Sequence, residues 1–151
     1  MSMTRRIFLL VTAPALSAVA LDRWPTSILD AWARATPPMA RTGVVYMTIR
    51  NEGREPDALI AAQTEAAARA ELHRTVIENG IARMQPVPHL EIPPGSDVRL
   101  EPNGLHLMLI ELRAPLVAGT SFPLRVKFRS GLELALAVPV RTARAGGHSA
   151  H

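Results

Sequence analysis

The segment that decides the fold is the hairpin ELHRTVIENGIARM, Glu71 to Met84. Asn79-Gly80 lies between two runs rich in apolar residues, Leu72 to Ile77 and Ile81 to Val87. Asn-Gly is the strongest short-range signal for a two-residue type I′ turn, because both central residues of that turn need a positive φ. The segment therefore predicts two antiparallel strands.

A two-residue turn also fixes the register of the two strands. It pairs Glu78 with Ile81 and, counting outward, Thr75 with Met84. Side chains alternate along a strand, so His73 shares a face with Thr75. Met84 is therefore predicted on the same face as His73, at a diagonal position about 7–8 Å away at the backbone and within reach of a long side chain.

The rest of the chain also has a β pattern, with short apolar runs separated by turn residues. The 151 residues include 13 prolines and 9 glycines, most of which fall between those runs. This spacing predicts an all-β sandwich of about eight or nine short strands. Ala66 to Ala70 is alanine-rich, which favours a helix, but an isolated helix of five residues is only marginally stable. The strands predicted outside the hairpin are 28–34, 44–49, 57–63, 98–101, 105–112, 122–128 and 132–140.

Composition and charge argue against several classes of function. The chain has no cysteine, which excludes disulfides, thiolate metal sites and cysteine nucleophiles. The formal net charge is +4, but the arginines are scattered and aromatic residues make up only 4%, so no nucleic-acid partner is expected. Nucleophile elbows, phosphate-binding loops and HExxH motifs are missing from the sequence, and we expect no enzymatic activity.

The first twenty residues, MSMTRRIFLLVTAPALSAVA, follow the pattern of a signal peptide. Arg5 and Arg6 form a basic start and are followed by a short apolar run. Ala18-Val19-Ala20 then has small residues at the spacing that signal peptidase prefers. The arginine pair also resembles a twin-arginine export signal. We therefore predict export to the periplasm.

This pattern divides the chain into a signal peptide over 1–20, a β-sandwich domain over 21–142 and a flexible tail over 143–151. The apolar run is too short for a stable membrane span, so no membrane insertion is expected after cleavage. His148 and His151 fall in the tail, where an unstructured end is expected and a weak auxiliary metal site is the alternative.

A second segment, GLHLMLIEL from Gly104 to Leu112, contains another histidine and another methionine that could bind a metal ion. His106 and Met108 are two residues apart and share one face of a strand, while the leucines between and beside them point to the core. With His73 and Met84 they form a neutral set of two imidazoles and two thioethers. Thioethers favour Cu(I), and imidazole binds copper in either oxidation state. The pattern therefore indicates a copper site.

The spacing of these residues resembles the motif of the PCu(A)C periplasmic copper chaperones. The likeness extends from about Ile28 to Arg141 and includes the segments Asp30 to Arg34, Gly43 to Asn51 and Gly104 to Leu109. The motif itself is His73, ten residues, Met84, twenty-one residues, His106, one residue and Met108.

The resemblance implies a cupredoxin-like or Ig-like Greek-key β-sandwich with a surface-exposed Cu(I) site made by those four side chains. It further implies delivery of copper to the CuA site of cytochrome c oxidase subunit II during assembly, alongside a Sco-type copper protein. The chain departs from many members of the family after its first histidine. Those members carry a nearby methionine where this chain has Arg74 and Thr75.

Two alternatives remain at this stage. One is an extracytoplasmic Ig-like binding module without metal, in which each methionine fills the core and each histidine makes an ordinary hydrogen bond. The other is a periplasmic protein that buffers copper or confers resistance to it. Met39 and Met47 are expected to be packing residues, and His89 a loop residue.

Overall fold

Ten β-strands and no helix are present in residues 24–142, the part of the chain that the computed structural model describes. None of these residues thus forms a helix long and apolar enough to cross a bilayer. The predicted signal peptide, the predicted tail, His148 and His151 lie outside the described residues. The strands are Thr26–Arg34 (β1), Thr42–Asn51 (β2), Asp57–Gln63 (β3), Ala67–Glu78 (β4), Ile81–Pro86 (β5), Leu90–Ile92 (β6), Ser96–Leu100 (β7), Leu105–Leu112 (β8), Ser121–Phe128 (β9) and Glu133–Arg141 (β10).

Seven strands form a ring in the order β4, β8, β2, β1, β10, β9, β3. β3 returns to β4 through a single pair, Ala62 with Ala70, so the sheet closes on itself. β5, β6 and β7 extend from β4, β3 and β2. The pairing of β1 with β10 is parallel, and the other pairings are antiparallel. This barrel-like sandwich confirms the predicted all-β, cupredoxin-like fold class.

The core follows from alternation along the strands. In β9 the inward residues are Phe122, Leu124, Val126 and Phe128, and the residues between them are exposed. β8 contributes Leu107 and Leu109 to the same core from its inward face. Each buried leucine or phenylalanine contributes about 1.5–3 kcal/mol by removing apolar surface from water.

The Asn79-Gly80 hairpin has the predicted register. The two turn residues have φ values of 52° and 76°, as a type I′ turn requires. β4 and β5 pair from Glu78 with Ile81 outward, and Thr75 faces Met84. The predicted register of β4 against β5 is therefore confirmed, and the turn residues account for it.

Residues 66–70 do not form the helix that their alanines favour, because β4 already begins at Ala67. Ala67 pairs with Leu112 and Ala70 pairs with Leu109, both on β8. A helix of five residues cannot offset the cost of its first turn, whereas the strand gains a full ladder of hydrogen bonds. Sheet pairing therefore overrides the helical preference of the alanines.

A buried carboxylate, Asp57, ties three parts of the sheet together. It accepts hydrogen bonds from the Ala58 N–H at 2.8 Å, from the Ser130 hydroxyl at 2.7 Å and from the Ser130 N–H at 3.0 Å. The Thr26 hydroxyl donates a longer bond of 3.4 Å to Oδ2, the oxygen that also accepts from the Ser130 hydroxyl. Burial alone would raise the pKa of Asp57, but these hydrogen bonds outweigh it and hold the pKa below its ordinary value.

The lowered pKa of Asp57 predicts a loss of stability in acid. A group with a depressed folded-state pKa contributes stability above its unfolded-state pKa, and that contribution disappears as the pH falls below about 4. We expect Asp57→Asn to lower the free energy of unfolding by about 1–3 kcal/mol at neutral pH. Urea unfolding of both proteins from neutral pH down to about pH 3 measures this, and the difference should shrink in acid.

Glu78→Gln, at the exposed tip of the hairpin, is the matched control for Asp57→Asn, because it also neutralises one carboxylate. Its effect on unfolding should be within about 0.5 kcal/mol. A difference between wild type and Asp57→Asn that stays constant across the pH range would contradict the charged role of Asp57.

Candidate metal centre

The two candidate histidines lie opposite each other on adjacent strands. His73 of β4 pairs directly with His106 of β8. Their ring centroids are 6.1 Å apart, and the ring planes are inclined by 51°. Because cross-strand partners project from the same side of a sheet, both imidazoles project from the outer face of the barrel.

The two candidate methionines are diagonal neighbours of His73. Met108 lies opposite Glu71 on β8, and Met84 lies opposite Thr75 on β5. All four candidate ligands therefore lie on one face of the adjacent strands β5, β4 and β8. Their role as metal ligands remains a prediction from the sequence motif.

The four side chains form a gradient from buried to exposed. His106 is 3% exposed, the His73 side chain is 14% exposed, Met108 is half-buried and Met84 is 55% exposed. β8 is an inner strand, because it lies between β4 and β2, so His106 and Met108 are not at an edge of the sheet. Only Met84 lies on a strand, β5, that has a single neighbour. Access to the site from solvent is therefore on the Met84 side.

Hydrogen bonds hold the two histidines in opposite tautomers. His106 Nδ1 is 3.1 Å from the carbonyl oxygen of Gly104, and His73 Nε2 is 3.2 Å from a carboxylate oxygen of Glu71. Both oxygens only accept, so each of these nitrogens carries the proton and donates it. The lone pairs are then on His106 Nε2 and His73 Nδ1.

Those two lone-pair nitrogens are buried and have no hydrogen-bond partner. A buried acceptor without a partner costs about 1–3 kcal/mol, so such atoms need a reason to persist. A metal ion bound between the rings would supply one. Among residues 24–142, imidazole and carboxylate groups do not form a cluster of three or more that could hold a metal. Met84 and Met108 lie on the same face and remain the further donors that the sequence motif predicts.

Glu71 is a site residue that sequence reasoning missed. It lies two positions before His73 and so on the same face of β4, which strand alternation alone could have revealed. Its second carboxylate oxygen is 3.4 Å from the Arg69 guanidinium. The outer face of β4 therefore carries the row Arg69, Glu71, His73 beside the paired His106.

An aromatic cluster borders the site on the opposite side from Met84. On the other side of β8, strand β2 pairs Val44 with Met108 and Val45 with Leu107, and Tyr46 is the next residue of β2. Trp32 packs against Tyr46 with ring centroids 5.0 Å apart, and the Arg34 guanidinium lies 5.8 Å from the Tyr46 centroid. Burial raises the pKa of Tyr46, and the nearby Arg34 charge partly offsets it. The cluster therefore lies on β1 and β2, on the far side of β8 from β5.

The remaining candidates lie elsewhere. His89 is exposed between β5 and β6, as expected for a loop residue. Met47 is buried in the core, as expected, but Met39 is 89% exposed in the turn after β1, so its assignment to packing is wrong. Met39 follows Pro37 and Pro38 in a turn that belongs to no strand, so its side chain has no core to pack against.

Comparisons with known proteins agree with this architecture. The model of the LpqE-like family matches residues 26–140. A relative from Leifsonia xyli subsp. xyli, "Putative lipoprotein Lxx21020", is 35% identical over 117 residues, which cover 76% of this chain and 68% of the relative.

Solved structures give the same fold. DR1885 from Deinococcus radiodurans, as a metal-free solution structure, is 31% identical with a TM-score of 0.63 and covers 97% of this chain and 99% of that protein. Its CuI form is 31% identical with a TM-score of 0.63 over 87% of each chain. The copper-bound PCuAC domain from PmoF2 is 20% identical with a TM-score of 0.68, covering 78% of this chain and 93% of that domain. The chain thus belongs to the LpqE-like family, and the resemblance to the PCuAC domains is confirmed.

Proposed function

We propose that this protein is an exported Cu(I) carrier that passes copper to a second protein. The observation that supports it best is the pair of buried, unpartnered lone-pair nitrogens, His106 Nε2 and His73 Nδ1, on directly paired strands. Copper is also the metal in the CuI form of DR1885, at 31% identity over most of the chain. The lipoprotein relative and the predicted signal peptide support export, for which we propose the periplasm.

The proposed donors are the two imidazole nitrogens with the sulfurs of Met84 and Met108. All four are neutral, so a bound Cu(I) ion carries a single net charge and no carboxylate has to be buried beside it. Soft sulfur donors select Cu(I) over calcium, magnesium and zinc. As cargo, the ion needs to be held and then released without any covalent step.

The gradient of exposure suggests the order of release. Met84 lies on β5 and is the most exposed donor, so an incoming ligand of the acceptor replaces it first. Met108 and His73 follow, and His106 leaves last because it is the most buried. An accessible donor favours delivery over buffering, since a buffer gains from full enclosure of the ion.

The acceptor we propose is the CuA site of cytochrome c oxidase subunit II, with a Sco-type protein as a second partner. Both rest on the resemblance to the PCu(A)C family. The test is to mix the Cu(I)-loaded protein with the soluble, copper-free subunit II domain, separate the two and measure the copper content of each. A Cu(I) chelator whose affinity is comparable to that of the subunit II domain serves as a reference acceptor. If the chelator removes the copper but the subunit II domain does not, buffering is favoured over delivery.

The contribution of Met84 can be measured separately. We expect Met84→Leu to lower Cu(I) affinity roughly tenfold, which corresponds to about 1.4 kcal/mol, because leucine keeps the apolar volume but provides no donor atom. Competition with a Cu(I) chelator measures this. Met39→Leu is the matched control, since Met39 is also exposed but lies in the turn after β1. An equal loss in both variants would contradict the assignment of Met84.

A further inference from the structure

The carboxylate of Glu71 has both oxygens engaged by neighbours on its own strand. One is 3.2 Å from His73 Nε2, and the other is 3.4 Å from Arg69 Nη1. The Glu71 side chain is 39% exposed, whereas that of His73 is 14% exposed. The carboxylate therefore reaches from the rim of the site to a ring that is largely shielded from water.

We propose that Glu71 is a positioning residue for this site. It accepts the Nε2 proton of His73, and so keeps the lone pair on Nδ1 and fixes the rotation of the ring. A neutral imidazole has one protonated nitrogen, and the partner of that nitrogen decides which one remains free to bind an ion. This inference rests on the proposed function where it concerns copper, but the tautomer itself is independent of it.

The two rings differ in how their tautomers are set. His106 donates to the backbone carbonyl of Gly104, which the fold supplies whatever the side chains are. His73 has only the Glu71 side chain in this role. Substitution at Glu71 therefore changes one ring and leaves the other in place.

Glu71 acts through His73 and is not itself a ligand in this arrangement. Its oxygens contact the imidazole N–H and the Arg69 guanidinium. The same arginine balances its charge, so the neutral donor set keeps its preference for a soft monovalent ion. Negative charge on the hydrogen-bond partner also makes the free nitrogen Nδ1 a better donor.

The experiment compares Glu71→Leu with Glu71→Gln in the full chain. Glutamine keeps an acceptor oxygen for the His73 N–H, whereas leucine has none. We expect the copper-free Glu71→Leu protein to show His73 ring ¹⁵N shifts averaged between the two tautomers, and wild type and Glu71→Gln to show the Nε2–H form alone. Cu(I) affinity should fall about 10–100-fold in Glu71→Leu and stay within about threefold of wild type in Glu71→Gln.

Glu78→Leu is the control, because Glu78 is an exposed carboxylate on the same strand, beyond His73. It should leave the His73 shifts and the affinity unchanged. A single Nε2–H tautomer in Glu71→Leu would overturn the proposal, and so would a loss of affinity in Glu71→Gln as large as that in Glu71→Leu. If wild type itself bound no Cu(I), the proposed function would fail, while the ¹⁵N shifts would still decide the role of Glu71.

Discussion

His106→Leu is expected to lower Cu(I) affinity by more than about 100-fold. Loss of a residue that only supports a ligand already costs about 10–100-fold, and His106 is the most buried of the four proposed donors. Water cannot easily replace it, because His106 is 3% exposed and lies on an inner strand of the sheet. The measurement is a chelator competition titration under reducing conditions.

The same substitution should leave the copper-free protein folded. Leucine removes a buried nitrogen that has no partner and leaves one carbonyl, Gly104, without its imidazole donor. These changes oppose each other, so the free energy of unfolding should shift by no more than about 1 kcal/mol. Added Cu(I) should then raise the melting temperature of wild type and not that of the variant.

His89→Leu is the matched control for His106→Leu. It removes an imidazole of the same size from the exposed connection between β5 and β6. Copper affinity and copper-dependent stabilisation should both stay at wild-type values. Wild-type affinity in His106→Leu, or an equal loss in His89→Leu, would contradict the proposed site.

The sequence determines part of this site through local chemistry. Asn79-Gly80 demands two positive φ values, so the turn sets the register of β4 against β5 and puts Met84 diagonal to His73. Alternation within β8 does the same for His106 and Met108. These relations involve neighbours in the chain and need no knowledge of the rest of the fold.

The pairing of β4 with β8 is different, because it joins residues that are far apart in sequence. That His73 lies directly opposite His106 depends on which strands of the ring become neighbours, and this depends on the whole core. The burial of His106 follows from the same pairing, since β8 is an inner strand. The alanines at 66–70 show where local prediction fails. Their local preference is helical, but pairing with the distant strand β8 makes Ala67 to Ala70 part of β4.

Asn51 at the end of β2 should show the largest loss of stability among polar substitutions. It is 1% exposed, and its amide makes three hydrogen bonds. Nδ2 donates to the Glu55 and Ile92 carbonyls at 2.8 and 3.1 Å, and Oδ1 accepts from the Gly53 N–H at 2.9 Å. Asn51→Ala leaves all three backbone groups without this partner, and we expect unfolding to become easier by about 3 kcal/mol.

Urea unfolding measures that loss, and Gln85→Ala is the control, because it removes an amide of similar size from the exposed strand β5. Its effect should be within about 0.5 kcal/mol. Asn51 pairs with Thr26 and Ser96, at the end of β2 away from the segment that pairs with β8. The folded Asn51→Ala protein should therefore bind Cu(I) as wild type does. Asn51→Ala is thus expected to lose stability and keep Cu(I) affinity, whereas His106→Leu is expected to keep stability and lose affinity. This contrast separates the residues that stabilise the sandwich from those that bind the ion.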